Sequence, residues 1–143
     1  MTDNKKFIAD VTQFANKTAD QMLRVAKQSI QDTVRAAQVP VAQGGDMPVD
    51  TGFLRNSVTA SILGGASASG NPDAGKNSET SNDAVILALS SLELGDPFQV
   101  AWTAEYAIAR HYMVGVGQGG GLWRDKAAQN WSTVVAKNVR LVQ

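Results

Sequence analysis

The chain has 143 residues, and its 13 basic and 13 acidic side chains leave no formal net charge at pH 7. This length fits one domain with a modest core, and the balanced charge gives no sign of electrostatic binding to nucleic acid or to a membrane surface. Because the chain has no Cys, disulfides, thiolate nucleophiles and cysteine-based metal sites are excluded.

A long helix is predicted from about residue 5 to residue 38. Apolar residues recur there every three or four positions, beginning with Phe7, Val11 and Phe14. Pro40 ends the pattern. More than thirty residues is long for so small a domain. Either the first part packs on a neighbouring subunit, with Phe7, Val11 and Phe14 as candidate assembly contacts, or this is an ordinary core helix whose first turn is frayed.

Three strands are predicted next. Residues 57–63 and 98–104 alternate between apolar and polar side chains, and residues 84–89 form a short run that is apolar throughout. Residues 64–82 contain almost no large apolar side chains, so we expect a long mobile loop there. The simplest arrangement is an antiparallel meander of three or four strands whose first hairpin has this loop at its tip.

The last part of the chain is predicted to be helical again. A short helical or turn segment covers 105–113, a flexible glycine-rich connection covers 115–121, and a final helix runs from 122 to about 139. The prediction is therefore one α+β domain over residues 1–143, in which the C-terminal helix packs on the sheet.

The tripeptide Asp50-Thr51-Gly52 supports two interpretations. In aspartic proteases an Asp of this kind ends a very apolar strand, so that two carboxylates share a proton in a dry cleft. A chain of this length would have to act as a homodimer. Here turn-forming residues precede Asp50, and bulky Phe53 and Leu54 follow Gly52. The pattern favours a turn in which Asp50 accepts backbone N–H groups, Gly52 adopts a conformation that suits glycine, and Phe53 and Leu54 anchor the turn in the core.

Other chemical motifs are weak. The spacing Gly115-x-Gly117-x-x-Gly120 matches a dinucleotide fingerprint but has no following strand and no acidic residue at the required distance. His111 is the single histidine and is expected to be a surface or hydrogen-bonded residue. The three Trp residues are expected in the core. We therefore predict no catalytic residue, no cofactor and no metal.

The order of these features resembles a family of minor virion proteins of tailed bacteriophages, the head–tail joining, neck or tail-completion proteins. The residues that carry the resemblance are Asp50, Thr51, Gly52, Leu54 and Ser57, in the pattern Asp-Thr-Gly-x-Leu-x-x-Ser before the first strand, followed after the last strand by Tyr106-Ala107. The family pattern continues Tyr-Ala-x-x-x-Glu-x-Gly, where this chain has His111 in place of Glu. Its usual Pro-Phe before the last helix is replaced by Gly120-Gly121-Leu122-Trp123.

The resemblance implies a structural, non-enzymatic protein of the virion neck. Such proteins form a homo-oligomeric ring, six-fold or twelve-fold, that joins head to tail, contacts other neck, portal-side or tail-tube proteins, and leaves a channel for genomic DNA without sequence-specific binding. The motif residues would be structural. The pattern does not distinguish among terminator, completion and head-closure proteins of the neck. Two alternatives have no role in the neck: the homodimeric aspartic protease and a small cytoplasmic adaptor. We expect assembly in a host cytoplasm and no membrane association, since the first residues lack the apolar core of a signal peptide and no apolar run approaches the ~20 residues of a membrane span.

Overall fold

The chain begins with a long helix. The computed structural model describes residues 2–117 and 119–142, with side chains from residue 5 onward. Helix α1 (Thr2–Ala37) is 36 residues long, so it extends over roughly 54 Å at 1.5 Å per residue. The helix predicted for residues 5–38 is therefore confirmed, and it begins slightly earlier than the apolar pattern does.

A three-stranded antiparallel sheet follows, with β1 (Val58–Ile62) in its centre, β2 (Ser67–Ser69) on one edge and β3 (Phe98–Trp102) on the other. Val58 pairs with Trp102, and Ile62 pairs with Phe98. Side chains alternate between the two faces of a strand, and the apolar positions Val58, Ala60 and Ile62 of β1 are buried. The predicted first and third strands are confirmed.

The strand predicted at residues 84–89 is wrong. These residues belong to helix α3 (Thr80–Leu89), which connects β2 to β3 and makes the strand order differ from that of a meander. The buried residues of α3 follow a helical spacing: Ser81, Ala84, Val85, Ala88 and Leu89. Ile86 and Leu87 point away from the core and are exposed. A short run that is apolar throughout hides this period, because helix and strand patterns both fit it.

The segment expected to be a loop, residues 64–82, is not structureless. It contains β2, a 3₁₀ turn (Pro72–Ala74) and the start of α3. Asn71 supports the 3₁₀ turn, since its side-chain oxygen accepts the backbone N–H of Asp73 at 3.1 Å. Small polar residues can form these elements because turns are stabilised by side chains that hydrogen-bond to the nearby backbone. They do not require a large apolar surface.

Four more helices complete the fold: α2 (Phe53–Asn56), α4 (Ala107–Tyr112), α5 (Trp123–Gln129) and α6 (Trp131–Val142). The single final helix predicted over 122–139 is thus two helices, separated at Asn130, whose N–H bonds back to the carbonyls of Ala127 and Ala128. Helix α5 places Trp123 edge-on to Trp102 of β3, with ring centroids 6.2 Å apart. Helix α6 packs along α1 instead of on the sheet.

Two clusters of buried side chains form the core. One lies between the sheet, α1 and α3 and includes Val34, Ala60 and Leu89. The other includes Leu54 and Trp123 and lies among α2, α4, α5 and the end of α1. No helix within residues 2–117 and 119–142 combines the length and apolar character needed to cross a bilayer. The architecture confirms the predicted α+β class with a long first helix, an antiparallel sheet and C-terminal helices.

Candidate functional site

The two segments that carry the family pattern meet in space, although fifty residues separate them in the chain. The ring of Phe53 stacks on the ring of Tyr106, with centroids 6.2 Å apart. Leu54 and Ala107 lie in the same buried cluster. Burial raises the pKa of the Tyr106 hydroxyl, and the negative charge of Asp50 raises it further. Residues 50–57 together with Tyr106 and Ala107 thus form a contiguous group, the motif cluster.

The turn at the start of the motif cluster depends on Gly52. This residue has φ of 87°, and a Cβ atom placed on it would lie 2.7 Å from the Cα of Lys76. Both the left-handed backbone and the close approach therefore require glycine. The Asp50 cap predicted from the sequence is wrong: within the described residues, Asp50 is exposed and accepts no backbone N–H, whereas Thr51 Oγ1 accepts the N–H of Phe53 at 3.3 Å.

Of the two residues predicted to anchor this turn in the core, Phe53 and Leu54, only the second does so. Leu54 is buried in the core. Phe53, in contrast, remains 38% exposed and covers Tyr106 instead of entering the core. Ser57 then connects the turn to the sheet, since its hydroxyl donates to the Leu54 carbonyl at 2.6 Å and its own carbonyl accepts the N–H of Thr103 at 3.0 Å.

The motif cluster also fixes the segment that the sequence predicted as a loop. Asn56 Nδ2 donates to the Gly75 carbonyl at 2.8 Å, and the guanidinium of Arg55 donates to the Lys76 carbonyl. Gly70 N–H donates to the Val58 carbonyl at 2.9 Å. These bonds turn inward, to the protein's own backbone. The second half of the motif cluster therefore organises the fold around β1, whereas Asp50, Thr51, Phe53 and Tyr106 keep exposed side chains.

The surroundings of Asp50 do not resemble a protease cleft. A cavity of about 370 Å³ lies beside the turn, and Asp50 is the one carboxylate lining it among the described residues. Asp50 is exposed and leads into a bend and the short helix α2, not out of a buried strand. An aspartic protease site needs two carboxylates within a few ångströms, in a dry environment. Over the same described residues, no group of three or more metal-binding side chains comes together.

His111 is placed differently from the prediction that it would be a surface or hydrogen-bonded residue. It is only 5% exposed and lies between the rings of Tyr112 and Trp123, each with its centroid 4.8 Å away and nearly perpendicular. Neither ring nitrogen has a hydrogen-bond partner in the described protein, although Asp125 Oδ1 is 3.9 Å from Nε2. Burial lowers the pKa of His111, an effect that Asp125 opposes and Arg124 reinforces. The imidazole therefore packs as a neutral aromatic ring.

The glycine-rich segment predicted as a flexible connection is tied down on both sides of Gln118, which itself lies outside the described residues. The guanidinium of Arg110 donates to the carbonyls of Met113 at 2.9 Å, Val116 at 2.8 Å and Gly119 at 2.6 Å. The N–H of Gly121 donates to the Asp46 carbonyl at 2.7 Å. An arginine with several donors in a fixed fork suits this role, because it can satisfy several carbonyls of one loop at once.

The predicted assembly residues lie on an exposed part of α1. Residues 5–17, called the arm below, have exposed side chains throughout. Phe7 and Phe14 are 69% and 70% exposed, and Ile8 and Val11 are also exposed. At 100° per residue, Phe7, Val11 and Phe14 share one face of the helix. This stripe is the surface of α1 that the sequence predicted to contact another molecule.

Helix α6 packs beside the second half of α1, and the arm lies outside that contact. Gln21 Nε2 donates to the carbonyl of Val142, near the end of α6, at 3.4 Å. Further along, the buried side chain of Asn138 donates to Ser29 Oγ and to Asp32 Oδ2, both at 3.1 Å. From Gln21 onward α1 is therefore paired with α6. The apolar face continues into the arm without a described element to cover it.

No protein-family model, curated protein or solved structure matches this chain. In the motif cluster, Leu54, Asn56 and Ser57 are buried and hold the fold together. The arm exposes apolar side chains along one face.

Proposed function

We propose that this protein is a structural component of a tailed-phage virion, a subunit of a neck ring that joins head to tail and leaves a channel for DNA. Its partners would be copies of itself in a six-fold or twelve-fold ring, together with portal-side or tail-tube proteins. The proposal starts from the resemblance carried by Asp50, Thr51, Gly52, Leu54 and Ser57 and by Tyr106-Ala107.

The observation that carries the proposal is the exposed apolar stripe of the arm. Two Phe side chains with more than two thirds of their surface exposed are costly in a subunit that remains alone in water, and each aromatic ring can bury roughly 150–250 Å² in a contact. Isolated helices of this length are marginal in water. A neighbouring surface that covers the stripe would stabilise both the helix and the assembly.

A second exposed apolar region supports assembly. It lies on α4 and the following segment and consists of Ile108, Tyr112, Met113, Val114 and Val116. A closed ring needs two different surfaces on each subunit, one for each neighbour. With the arm, the subunit has at least two separate apolar surfaces available, and its zero net charge adds no bulk repulsion between copies.

The inward bonding of the motif cluster fits the same function. A tripeptide kept for catalysis would present its carboxylate in a cleft beside a second one. Here the Gly52 backbone lies against Lys76, and Asn56, in the helix that follows, donates to the Gly75 carbonyl. The chemistry of the turn is that of a scaffold, which is what a ring subunit requires.

The test is the mass of the assembled protein, followed by its position in particles. We expect purified protein to form a closed ring of six or twelve subunits, measured by native mass spectrometry and by class averages in electron microscopy. Antibody-labelled particles should carry the label at the neck. A dimer with peptidase activity that Asp50→Asn abolishes would instead indicate the aspartic protease. A monomer or dimer absent from particles would indicate an adaptor.

A further inference from the structure

A long apolar groove runs beside the buried part of α1. It consists of two adjoining cavities of about 520 and 510 Å³ that share Trp131. Residues of α1 from Thr18 to Ala37 form its floor. One wall is β3 with the preceding turn, and the other is α5 with α6. The side chains that give the groove its apolar character are Met22, Leu94, Phe98, Trp131, Val135 and Val139.

We propose that the arm of one subunit lies in this groove of the next subunit, so that a second copy of the chain is the groove's occupant. The inference rests on the proposed ring function and assigns its contact surfaces. The two surfaces are complementary in chemistry, since an apolar helical stripe would meet an apolar trough. They are different surfaces, so a head-to-tail contact joins neighbouring subunits, and repeated contacts of this kind close into a ring when the rotation between neighbours closes.

The dimensions agree with this occupant. The arm of residues 5–17 is roughly 20 Å long, and the stretch of α1 that floors the groove, from Thr18 to Ala37, is roughly 30 Å long. Phe7 and Phe14, which are 69% and 70% exposed, would together bury roughly 200–350 Å². With Ile8 and Val11 added, the arm supplies a large part of the roughly 800 Å² per partner that a stable interface buries.

Charge complementarity also favours a second copy. The arm carries Lys5, Lys6 and Lys17 against a single acidic residue, Asp10. At the groove, Asp96 lines the cavity, and Glu93 is exposed nearby. Among the described residues, none of these three lysines and neither of these two carboxylates takes part in a salt bridge. Arg124 also lines the groove, but its charge is paired with Asp125 at 3.0 Å.

The groove of the same molecule cannot receive its own arm. The arm and the groove floor are parts of one continuous helix. Val11 lies about 16 Å along the axis from Met22. A straight helix cannot fold back onto itself without breaking. The occupant must therefore come from another molecule.

Cysteine cross-linking tests this arrangement, because the natural chain has no Cys. Val11→Cys would be made in one tagged population and Val135→Cys in a second population with a different tag. A disulfide forms only when the two Cα atoms approach within about 7 Å. We expect the mixed, assembled protein to give an 11–135 cross-link between differently tagged chains. Phe14→Cys with Leu94→Cys is a second pair, in which both positions are exposed.

Thr133→Cys is the matched control, since it is exposed on α6 but lies outside the groove. It should give no cross-link to Val11→Cys above background. Rings that form without either arm–groove cross-link would overturn this inference and leave the ring function standing. A cross-link between two copies of Val11→Cys alone would replace it with an arm–arm contact. A chain that stays monomeric at every concentration would overturn both proposals.

Discussion

The arm and the motif cluster differ in where their side chains make contacts. In the motif cluster, Leu54 is buried and Asn56, Ser57 and Arg55 bond to the protein's own backbone. In the arm, every side chain is exposed, and the largest ones are apolar. Both regions stand out in the sequence, the first as a motif and the second as a pattern. A conspicuous motif can thus serve the subunit itself, whereas an unremarkable amphipathic helix can be the surface that needs another molecule.

The difference has a thermodynamic consequence. A substitution in the motif cluster changes the free energy of folding of one subunit, because its contacts exist within that subunit. A substitution on the arm leaves those contacts intact, and under the proposed function it changes the free energy of association instead. The two quantities can be measured separately, by unfolding the isolated subunit and by following assembly.

The largest effect is expected for Phe7→Glu, on the arm. A lone charge buried in the contact would cost about 3–5 kcal/mol, which weakens each contact by two to four orders of magnitude. The unfolding free energy of the isolated subunit should change by less than about 0.5 kcal/mol, since Phe7 has no core contact to lose. Sedimentation of the variant over a concentration series measures the first quantity, and urea denaturation measures the second.

Gln13→Glu is the control for that variant, because Gln13 is exposed on the other side of the arm. It adds the same charge and should leave assembly nearly unchanged. A sharp fall in the thermal midpoint of the isolated Phe7→Glu subunit, with particles still forming, would place this end of α1 in the core of the subunit. The contrast between the two regions would then fail.

The next largest effect is expected for Leu54→Ala, in the motif cluster. Removing a buried leucine side chain leaves a cavity and should lower the unfolding free energy by about 2–5 kcal/mol. Phe53→Ala, which removes a larger but more exposed ring, should cost less. Chemical denaturation of both variants gives the comparison. Equal losses, or a loss of assembly in Leu54→Ala without a loss of stability, would contradict an inward-facing role for the motif.

A smaller effect concerns pH and the buried His111. Burial lowers the pKa of His111 in the folded protein. Below pH 6.5, near the ordinary pKa of histidine, the unfolded chain therefore binds more protons than the folded protein does. Stability should therefore be fully present above that value and fall as pH decreases toward the lower folded pKa. One proton limits the slope to about 1.4 kcal/mol per pH unit.

His111→Phe tests this origin of the pH dependence. The substitution keeps an aromatic ring between Tyr112 and Trp123 and removes two buried nitrogens that lack partners in the described protein. We expect stability at neutral pH to be kept or raised, and the decline just below pH 6.5 to become shallower. Since this chain has one histidine, an unchanged decline in the variant would assign the effect to other groups.

The smallest effects separate the two side chains of the Asp-Thr turn. Asp50→Asn should change stability by less than about 0.5 kcal/mol, because the exposed carboxylate makes no hydrogen bond in the described residues. Thr51→Val removes the acceptor for the Phe53 N–H and should cost about 0.5–1.5 kcal/mol. Thermal unfolding measured side by side would show the order. A larger loss of stability for Asp50→Asn than for Thr51→Val would show that the carboxylate stabilises the turn. Peptidase activity that disappears in Asp50→Asn would indicate a catalytic role for it.

Local pattern was sufficient to predict several elements. The 3–4 spacing of α1 predicted a long helix because this signal extends over many residues, and the alternation of apolar and polar side chains predicted β1 and β3 because it fits a strand and not a helix. The need for glycine at position 52 followed from turn chemistry. The sequence also predicted that Phe7, Val11 and Phe14 share one face of α1, since this depends only on the helical period.

The remaining features depended on tertiary contacts. Residues 84–89 are apolar at every position, and only their packing against the sheet and α1 made them a helix instead of a strand. The burial of His111 depends on Trp123, which lies on a different helix. The residues next to His111 in the sequence therefore do not indicate that it is buried. The sequence by itself determined which face of α1 is apolar. The tertiary structure decided that α6 pairs with α1 only from Gln21 onward, because the reach of a partner helix depends on how the whole chain folds back and not on any local pattern.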